Sequence, residues 1–391
     1  MHASGQRRSE SNSFTMPMKH AGADQLLLIC TSNVVGGTES FVLTLAQGLR
    51  ALDVTVQTVF SEADDGGVGC LPLAQQMGAP IETSAAIREV MQRRDVRHML
   101  AMRAFVRAKG ITSVNVHFGG NYISVWDVMA IRLAGVKRCV ATVHHALPIS
   151  GAQTRRMTAL ASRICDLVTV TTPAMTAILV DAGVSRSKIV EIPPGIRPSA
   201  ATPTRSAARA ALGLPADALI VGSLGRIVPD KGFADLITAM SLLEPCPRPV
   251  HLVVGGDGPS RQAMEAMAAT MLGDHAHFLG RIPDAALLYA ASDLFVLPSH
   301  VEGFGLVFVE AAFHGVPSIG ARVGGVPYAI AHDETGLLVA PRAPAELAVA
   351  MHALLTDDAR RARLGEAARI RALRQFTEGA MATAYREQLL P

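Results

Sequence analysis

Pro298-Ser299-His300-Val301-Glu302-Gly303-Phe304-Gly305-Leu306-Val307-Phe308-Val309-Glu310 is the stretch on which the fold turns. The apolar run Asp293 to Leu297 ahead of it has the length and composition of a buried strand, and Pro298 stops it. The glycines make a turn, and the segment after it reads as a buried helix. Glu302 and Glu310 bracket the turn, with seven residues between them. Backbone N–H groups at a helix start, beside two acceptors, suit a ligand with an anionic group and many hydroxyls. Taken alone, the stretch also reads as an ordinary strand–turn–helix connection with a glutamate at each end.

Working outward, the strand signature recurs. In the first half it covers Gln25–Thr31, Val54–Phe60, Ser113–His117, Arg138–Val143, Leu167–Thr171 and Lys188–Ile192. In the second it covers Leu219–Gly222, Val250–Val254, Ala276–Leu279, Asp293–Leu297, Pro317–Ile319 and Leu337–Val339. Most are continuous apolar runs, the pattern of parallel strands covered on both faces. Helical spacing fills the intervals, as in Glu39–Ala51, Pro173–Ala182, Phe233–Leu243 and Ala345–Leu355. The alternation predicts an α/β chain of two doubly wound, Rossmann-like domains. Pro193-Pro194-Gly195-Ile196-Arg197-Pro198 interrupts regular structure between them. The expected boundaries are a disordered tail over 1–23, a first domain over 24–195, a second over 196–375, and a helix over 376–391 that crosses back to the first domain. Such sheets bind ligands outside the carboxyl ends of their strands, so two facing sheets enclose a cleft.

The 391 residues are 49% apolar and 18% charged, enough for two large cores. Aromatics are only 4% and the net charge is +3. Neither stacking platforms nor a concentrated basic stripe point to nucleic acid. Cys30, Cys70, Cys139, Cys165 and Cys246 form no C-x-x-C pair and read as thiols of a reducing compartment. No apolar run reaches the ~18 residues of a membrane span. Arg7-Arg8 is followed by no apolar signal segment, and Met16 and Met18 are alternative starts. A cytoplasmic protein is expected. The segment Ile87–Lys109 interleaves Arg88, Arg93, Arg94, Arg97, Arg103, Arg107 and Lys109 with Met91, Met99, Leu100, Met102 and Phe105. It reads either as a solvated basic face over a core-facing stripe or as a peripheral contact with the inner membrane leaflet.

Gly225-Arg226-Ile227-Val228-Pro229-Asp230-Lys231-Gly232 follows a strand of the second half. Gly225 permits close backbone approach, and Arg226 and Lys231 set two cations near a helix start, so a diphosphate is the natural occupant. The Walker order is absent. Gly255-Gly256-Asp257-Gly258-Pro259 forms another turn at a strand end, and Gly36-Gly37-Thr38-Glu39 precedes the first helix of the chain. The third glycine of a dinucleotide fingerprint is missing there, which counts against a nicotinamide dehydrogenase. His144 lies just past a strand, where cleft residues belong, and His117 ends another. No D-x-D pair offers carboxylates to a bridging cation, so no metal or other cofactor is expected.

Together these motifs resemble the retaining GT-B-fold glycosyltransferases of family 4, over roughly Leu26 to Leu389. The resemblance rests on Gly36-Gly37-Thr38-Glu39, His144, the Gly225–Gly232 loop, the Gly255–Pro259 turn, the glutamates Glu302 and Glu310, and Gly324-Gly325. It implies donor-binding roles for Gly37, Gly225, Arg226, Lys231, Gly256, Phe304, Gly305, Leu306 and Glu310, with Glu310 on the nucleotide ribose. It implies catalytic roles for His144, Glu302, Arg226 and Lys231. The partners implied are a nucleoside diphosphate sugar and a sugar or lipid-linked acceptor, in cell-surface polysaccharide or glycolipid synthesis. The chain departs from the family at Pro194-Gly195-Ile196-Arg197, where Pro-Asn-Gly-Val-Asp is common. It departs again at Tyr328, where a glutamate is common. Rival readings are a glycoside phosphorylase, a nucleotide-sugar epimerase and a non-catalytic nucleotide-sugar-binding scaffold.

Overall fold

The computed structural model describes residues 25–31, 37–60, 96–144, 148–198 and 203–390, apart from the side chain of residue 98. The tail over 1–23, Gly36, Cys70 and the first part of the basic segment lie outside these residues.

The first domain runs β1 (Gln25–Cys30), α1 (Gly37–Ala51), β2 (Thr55–Phe60), α2 (Val96–Ala108), β3 (Ser113–Phe118), α3 (Val125–Ala134), β4 (Arg138–Val143), α4 (Ala152–Ile164), β5 (Leu167–Val170), α5 (Pro173–Asp181) and β6 (Ile189–Glu191). The second opens with α6 (Arg205–Ala211), β7 (Leu219–Leu224), α7 (Phe233–Ser241), β8 (Val250–Gly255), α8 (Arg261–Leu272), β9 (Ala276–Gly280), α9 (Ala285–Ala291) and β10 (Leu294–Leu297). It continues through α10 (Leu306–Phe313), β11 (Ser318–Ala321), α11 (Val326–Ala329), β12 (Gly336–Val339), α12 (Pro344–Leu355), α13 (Asp358–Gln375) and α14 (Glu378–Leu389).

All pairings within the two sheets are parallel, in the orders β2-β1-β3-β4-β5-β6 and β12-β11-β10-β7-β8-β9. β1 shows why the strands are continuously apolar. Leu27 and Ile29 join the core on one face, while Leu26, Leu28 and Cys30 join that on the other. β7 extends past its apolar run to Leu224 because its pairing with β8 continues through Ser223 and Leu224. Strand order reverses between β7 and β10, so the loops after these strands meet at the topological switch point where ligands bind. Within Ile87–Lys109, Met102 and Val106 are buried and Met99 and Phe105 pack against the same core, which gives α2 a core-facing stripe.

α14 packs in the first domain. Met381, Ala382, Tyr385 and Leu389 are buried with Phe41, Val42 and Leu45 of α1. A Cβ on Gly48 would come within 2.7 Å of Ala382, so the two helices touch at a position that admits no side chain. The crossing is fastened by Ile196 N–H donating to Phe376 O and by Arg197 donating to both carboxylate oxygens of Glu378, at 2.7 and 2.9 Å. Arg197, at the departure noted above, therefore ties the domain junction to the return helix.

Candidate active site

A cavity of about 370 Å³ opens between the domains at the carboxyl ends of both sheets. The first domain contributes Gly37, Thr38, Phe41, His144, Thr171 and Pro194. The second contributes Leu224, Gly225, Arg226, Lys231 and Leu297, and then Glu302 through Val307. The volume falls within the usual range for small-molecule sites.

Two helices start at this cavity, one from each side. α1 begins at Gly37, and α10 follows Gly305, whose φ of 86° places it in the left-handed region. The N-terminal amides and the positive dipole ends of both helices favour an anion between them.

The loop after β7 and the loop after β10 are joined as one unit. His300 N–H donates to Asp230 O at 2.7 Å, and the His300 ring bonds Asp235 at 2.7 Å. A Cβ on Gly232 would lie 2.1 Å from Pro298 O. Lys231 Nζ donates to Glu302 Oε2 at 2.7 Å, and Ser299 Oγ and Gly303 N–H also donate to that carboxylate. Lys231 and Glu302 thus neutralise one another, while Arg226 is exposed and makes no ion pair among the described residues. Glycine turns back both loops. Gly256, with φ of 120°, has no room for a Cβ, which would meet Gly225 O at 1.9 Å. Gly324, with φ of 50°, would set one 1.8 Å from Glu302 O.

Gly256 accordingly sits behind the Arg226 loop, outside the lining of the cavity. Glu310 is also outside the lining. It lies one helix turn along α10 and accepts a 2.6 Å hydrogen bond from Tyr289. Burial raises the Glu310 pKa, and the Tyr289 bond opposes that rise. Tyr328 packs edge-on against Phe304 and Phe376 with the Arg371 guanidinium over its ring, so this departure belongs to the packing behind the turn. The remaining expected residues, Gly37, His144, Gly225, Arg226, Lys231, Glu302, Phe304, Gly305 and Leu306, converge on the one cavity.

Thr171, Phe41 and Tyr289 had no motif to mark them. His117 had only its place at a strand end. Its Nδ1 lies 3.1 Å from His144 Nε2, the rings are stacked, and the His117 Nε2 is buried without a partner among the described residues. A buried orphan N–H is rarer than an unused acceptor, so we assign the proton to His117 Nδ1, donating to His144. Burial, with the His144 charge second, holds the His117 pKa well below the usual histidine value. His117→Leu should lower turnover about fivefold, the equivalent of one lost hydrogen bond of ~1 kcal/mol, with donor KM nearly unchanged. The unfolded chain takes up a proton that the folded His117 refuses. Its contribution to stability is therefore full above about pH 6.5 and is lost as the pH falls below that. Urea unfolding from pH 7.5 to 5.5 should show a shallower loss in His117→Leu than in the unsubstituted protein.

Among the described residues, no cluster of three His, Cys, Asp or Glu side chains is arranged to hold a metal.

The comparisons agree with this architecture. The model of Glycosyltransferase Family 4 matches residues 35–200, and that of Glycosyl transferases group 1 matches residues 204–371. The D-inositol 3-phosphate glycosyltransferase of Corynebacterium aurimucosum is 30% identical over 90% of both chains. A GDP-mannose-dependent alpha-(1-6)-phosphatidylinositol monomannoside mannosyltransferase of Mycobacterium tuberculosis is 30% identical over 61% of this chain and 66% of its own. Among solved structures, Anabaena Alr3699/HepE in complex with UDP superposes with a TM-score of 0.77 at 23% identity, covering 93% of this chain and 98% of that one. The same Anabaena protein has also been solved with UDP-glucose.

Proposed function

The chain belongs to glycosyltransferase family 4, the group 1 glycosyl transferases, and on that premise we propose that it transfers a hexosyl unit from a nucleoside diphosphate sugar to an acceptor hydroxyl with retention at the anomeric carbon. The observation that carries the reading is the convergence of Arg226, Lys231 and two helix N-termini on one cavity, opposite His144.

The bond from the anomeric carbon to the diphosphate oxygen breaks, and negative charge grows on the leaving group. Arg226, Lys231 and the α10 amides stand ready to stabilise that charge before the reaction begins. A diphosphate competes with Glu302 for Lys231. Once Lys231 turns to the phosphates, the Glu302 carboxylate is available to a donor sugar hydroxyl. Attack on the face the diphosphate leaves, with the acceptor proton passing to a leaving phosphate oxygen, needs no protein nucleophile and leaves Glu302 to the sugar hydroxyl. Glu310, with one oxygen held by Tyr289, keeps the other for a ribose hydroxyl. Tyr289→Phe should weaken nucleoside diphosphate binding about fivefold, as expected for loss of a ~1 kcal/mol bond, and calorimetry reads the change.

A panel of UDP-, GDP- and ADP-sugars tests the donor by thermal shift, since a bound ligand raises the melting temperature by mass action. UDP-sugars come first in the panel because the Anabaena protein's structures hold UDP and UDP-glucose. The inositol phosphate and phosphatidylinositol mannoside named for the two relatives make polyol and lipid-headgroup hydroxyls the first acceptors to try. The expected product is a glycoside with the donor's anomeric configuration, formed without inorganic phosphate. Product formation that requires inorganic phosphate, or interconversion of the donor without an acceptor, would point to the phosphorylase or the epimerase instead.

A further inference from the structure

On the outside of the first domain, α2, α3 and α4 lie side by side, and their solvent face is unusually apolar. α3 carries its core face on Val125, Val128 and Ile131, all buried. Its opposite face carries Trp126, Met129 and Leu133, at 41%, 36% and 53% exposure. A helix apolar on both faces ordinarily has a second apolar environment to bury in. The flanking helices extend the surface with Leu100 of α2, 62% exposed, and with Met157 and Leu160 of α4.

The charge on the same three helices is one-sided. They hold seven arginines and one acidic residue, Asp127, in a chain whose net charge is only +3. Arg132 pairs with Asp166 and Arg155 with Asp181. Arg97, Arg103, Arg107, Arg156 and Arg163 are exposed and make no ion pair among the described residues. Arg103 and Arg107 follow Leu100 at i+3 and i+7, and Arg163 follows Leu160 at i+3, so cations and exposed apolar side chains share helix faces. A central apolar stripe flanked by arginines is complementary to an anionic bilayer surface, with the apolar groups entering the acyl boundary and the guanidinium groups at the phosphates. A second copy docking through the same face about a two-fold axis would set arginines against arginines.

We infer that the α2–α3–α4 face seats the protein on an anionic lipid bilayer. α3 starts just after the carboxyl end of β3, and Asn121 in the intervening turn donates to Pro148 O, in the loop that follows His144. The amino-terminal end of the stripe, at Trp126, therefore adjoins the first-domain rim of the cleft. Seating on this face brings the cavity mouth to the headgroup layer, where a lipid-linked hydroxyl reaches the donor. This last consequence rests on the proposed transfer reaction, whereas the docking itself does not.

Trp126 is the single tryptophan of the chain, so its emission reports on this face alone. The full chain is titrated with phosphatidylglycerol-containing vesicles and with pure phosphatidylcholine vesicles, without donor sugar. The expected result is a blue shift of several nanometres and co-sedimentation with the anionic vesicles only. Leu100→Ser with Leu133→Ser should abolish the shift, and Arg103→Glu with Arg107→Glu should weaken binding at least tenfold, with thermal melts checking that both variants fold. No shift with anionic vesicles, co-sedimentation without a shift, or a shift caused by self-association or by a protein partner instead of lipid would each overturn the inference. Failure of the transfer reaction with vesicle binding intact would count against the proposed function alone.

Discussion

Lys231→Ala is expected to lower kcat/KM by about 10²- to 10³-fold, the usual loss when one preorganised donor to a developing negative charge is removed. Lys231 reaches the cavity from a loop fixed on both sides. The loop after β10 holds it through Asp230 and Gly232, and Glu302 orients its ammonium group at 2.7 Å. The substitution takes away a cation and also leaves Glu302 as an uncompensated anion where the diphosphate must sit. Making the same change in a Glu302→Gln background separates these effects. The loss should remain there but be smaller, because the repulsion has gone. Steady-state kinetics with a soluble acceptor decides the matter, and near-normal turnover in Lys231→Ala would remove the diphosphate role.

Tyr385→Ala should destabilise the protein by about 3–5 kcal/mol, the range for deleting a large aromatic ring from a packed core. Tyr385 comes from the last helix of the chain yet is fully buried in the first domain. Its ring packs edge-on against Phe41, with centroids 5.9 Å apart, and its hydroxyl meets Thr169 Oγ1 at 3.2 Å. Thr169 in turn meets Thr142, which donates to Asn115, so a buried polar chain runs across β5, β4 and β3 beneath the cleft. Burial pushes the Tyr385 pKa up to about 12, so the hydroxyl stays neutral through the working pH range. Tyr385→Phe keeps the ring and should cost only about 1 kcal/mol. Urea unfolding measures both. A stability loss for Tyr385→Ala no greater than that for Tyr385→Phe would mean that α14 does not hold the first domain together. Because Phe41 also lines the cavity, the alanine variant should lose activity along with stability.

The alternation of strands and helices was legible because parallel strands buried on both faces are apolar without interruption, as Leu26 to Cys30 illustrate. Elements bounded by proline were easiest to delimit, such as α5 starting at Pro173. The converging residues were legible where one loop carries several of them, as with Gly225 to Lys231 and Glu302 to Leu306. What remained hidden depends on contacts between distant segments. Nothing local to Gly256 tells whether its missing side chain makes way for a ligand or for Gly225 O; the register between the β7 and β8 loops decides it. The bond from Tyr289 to Glu310 joins two helices across β10, and the bond from His117 to His144 joins neighbouring strand ends. The Lys231–Glu302 pair joins two residues read separately as a phosphate ligand and a sugar ligand. In the structure they form one ion pair at 2.7 Å.

The account depends most on the cavity recognising a diphosphate. Calorimetric titration of the protein with a nucleoside and with its diphosphate, repeated on Arg226→Ala and Lys231→Ala, tests this directly. The predicted result is a diphosphate affinity at least a hundredfold above that of the nucleoside, with most of the difference lost in either variant. Equal affinities for nucleoside and diphosphate, or a difference that survives both substitutions, would contradict it.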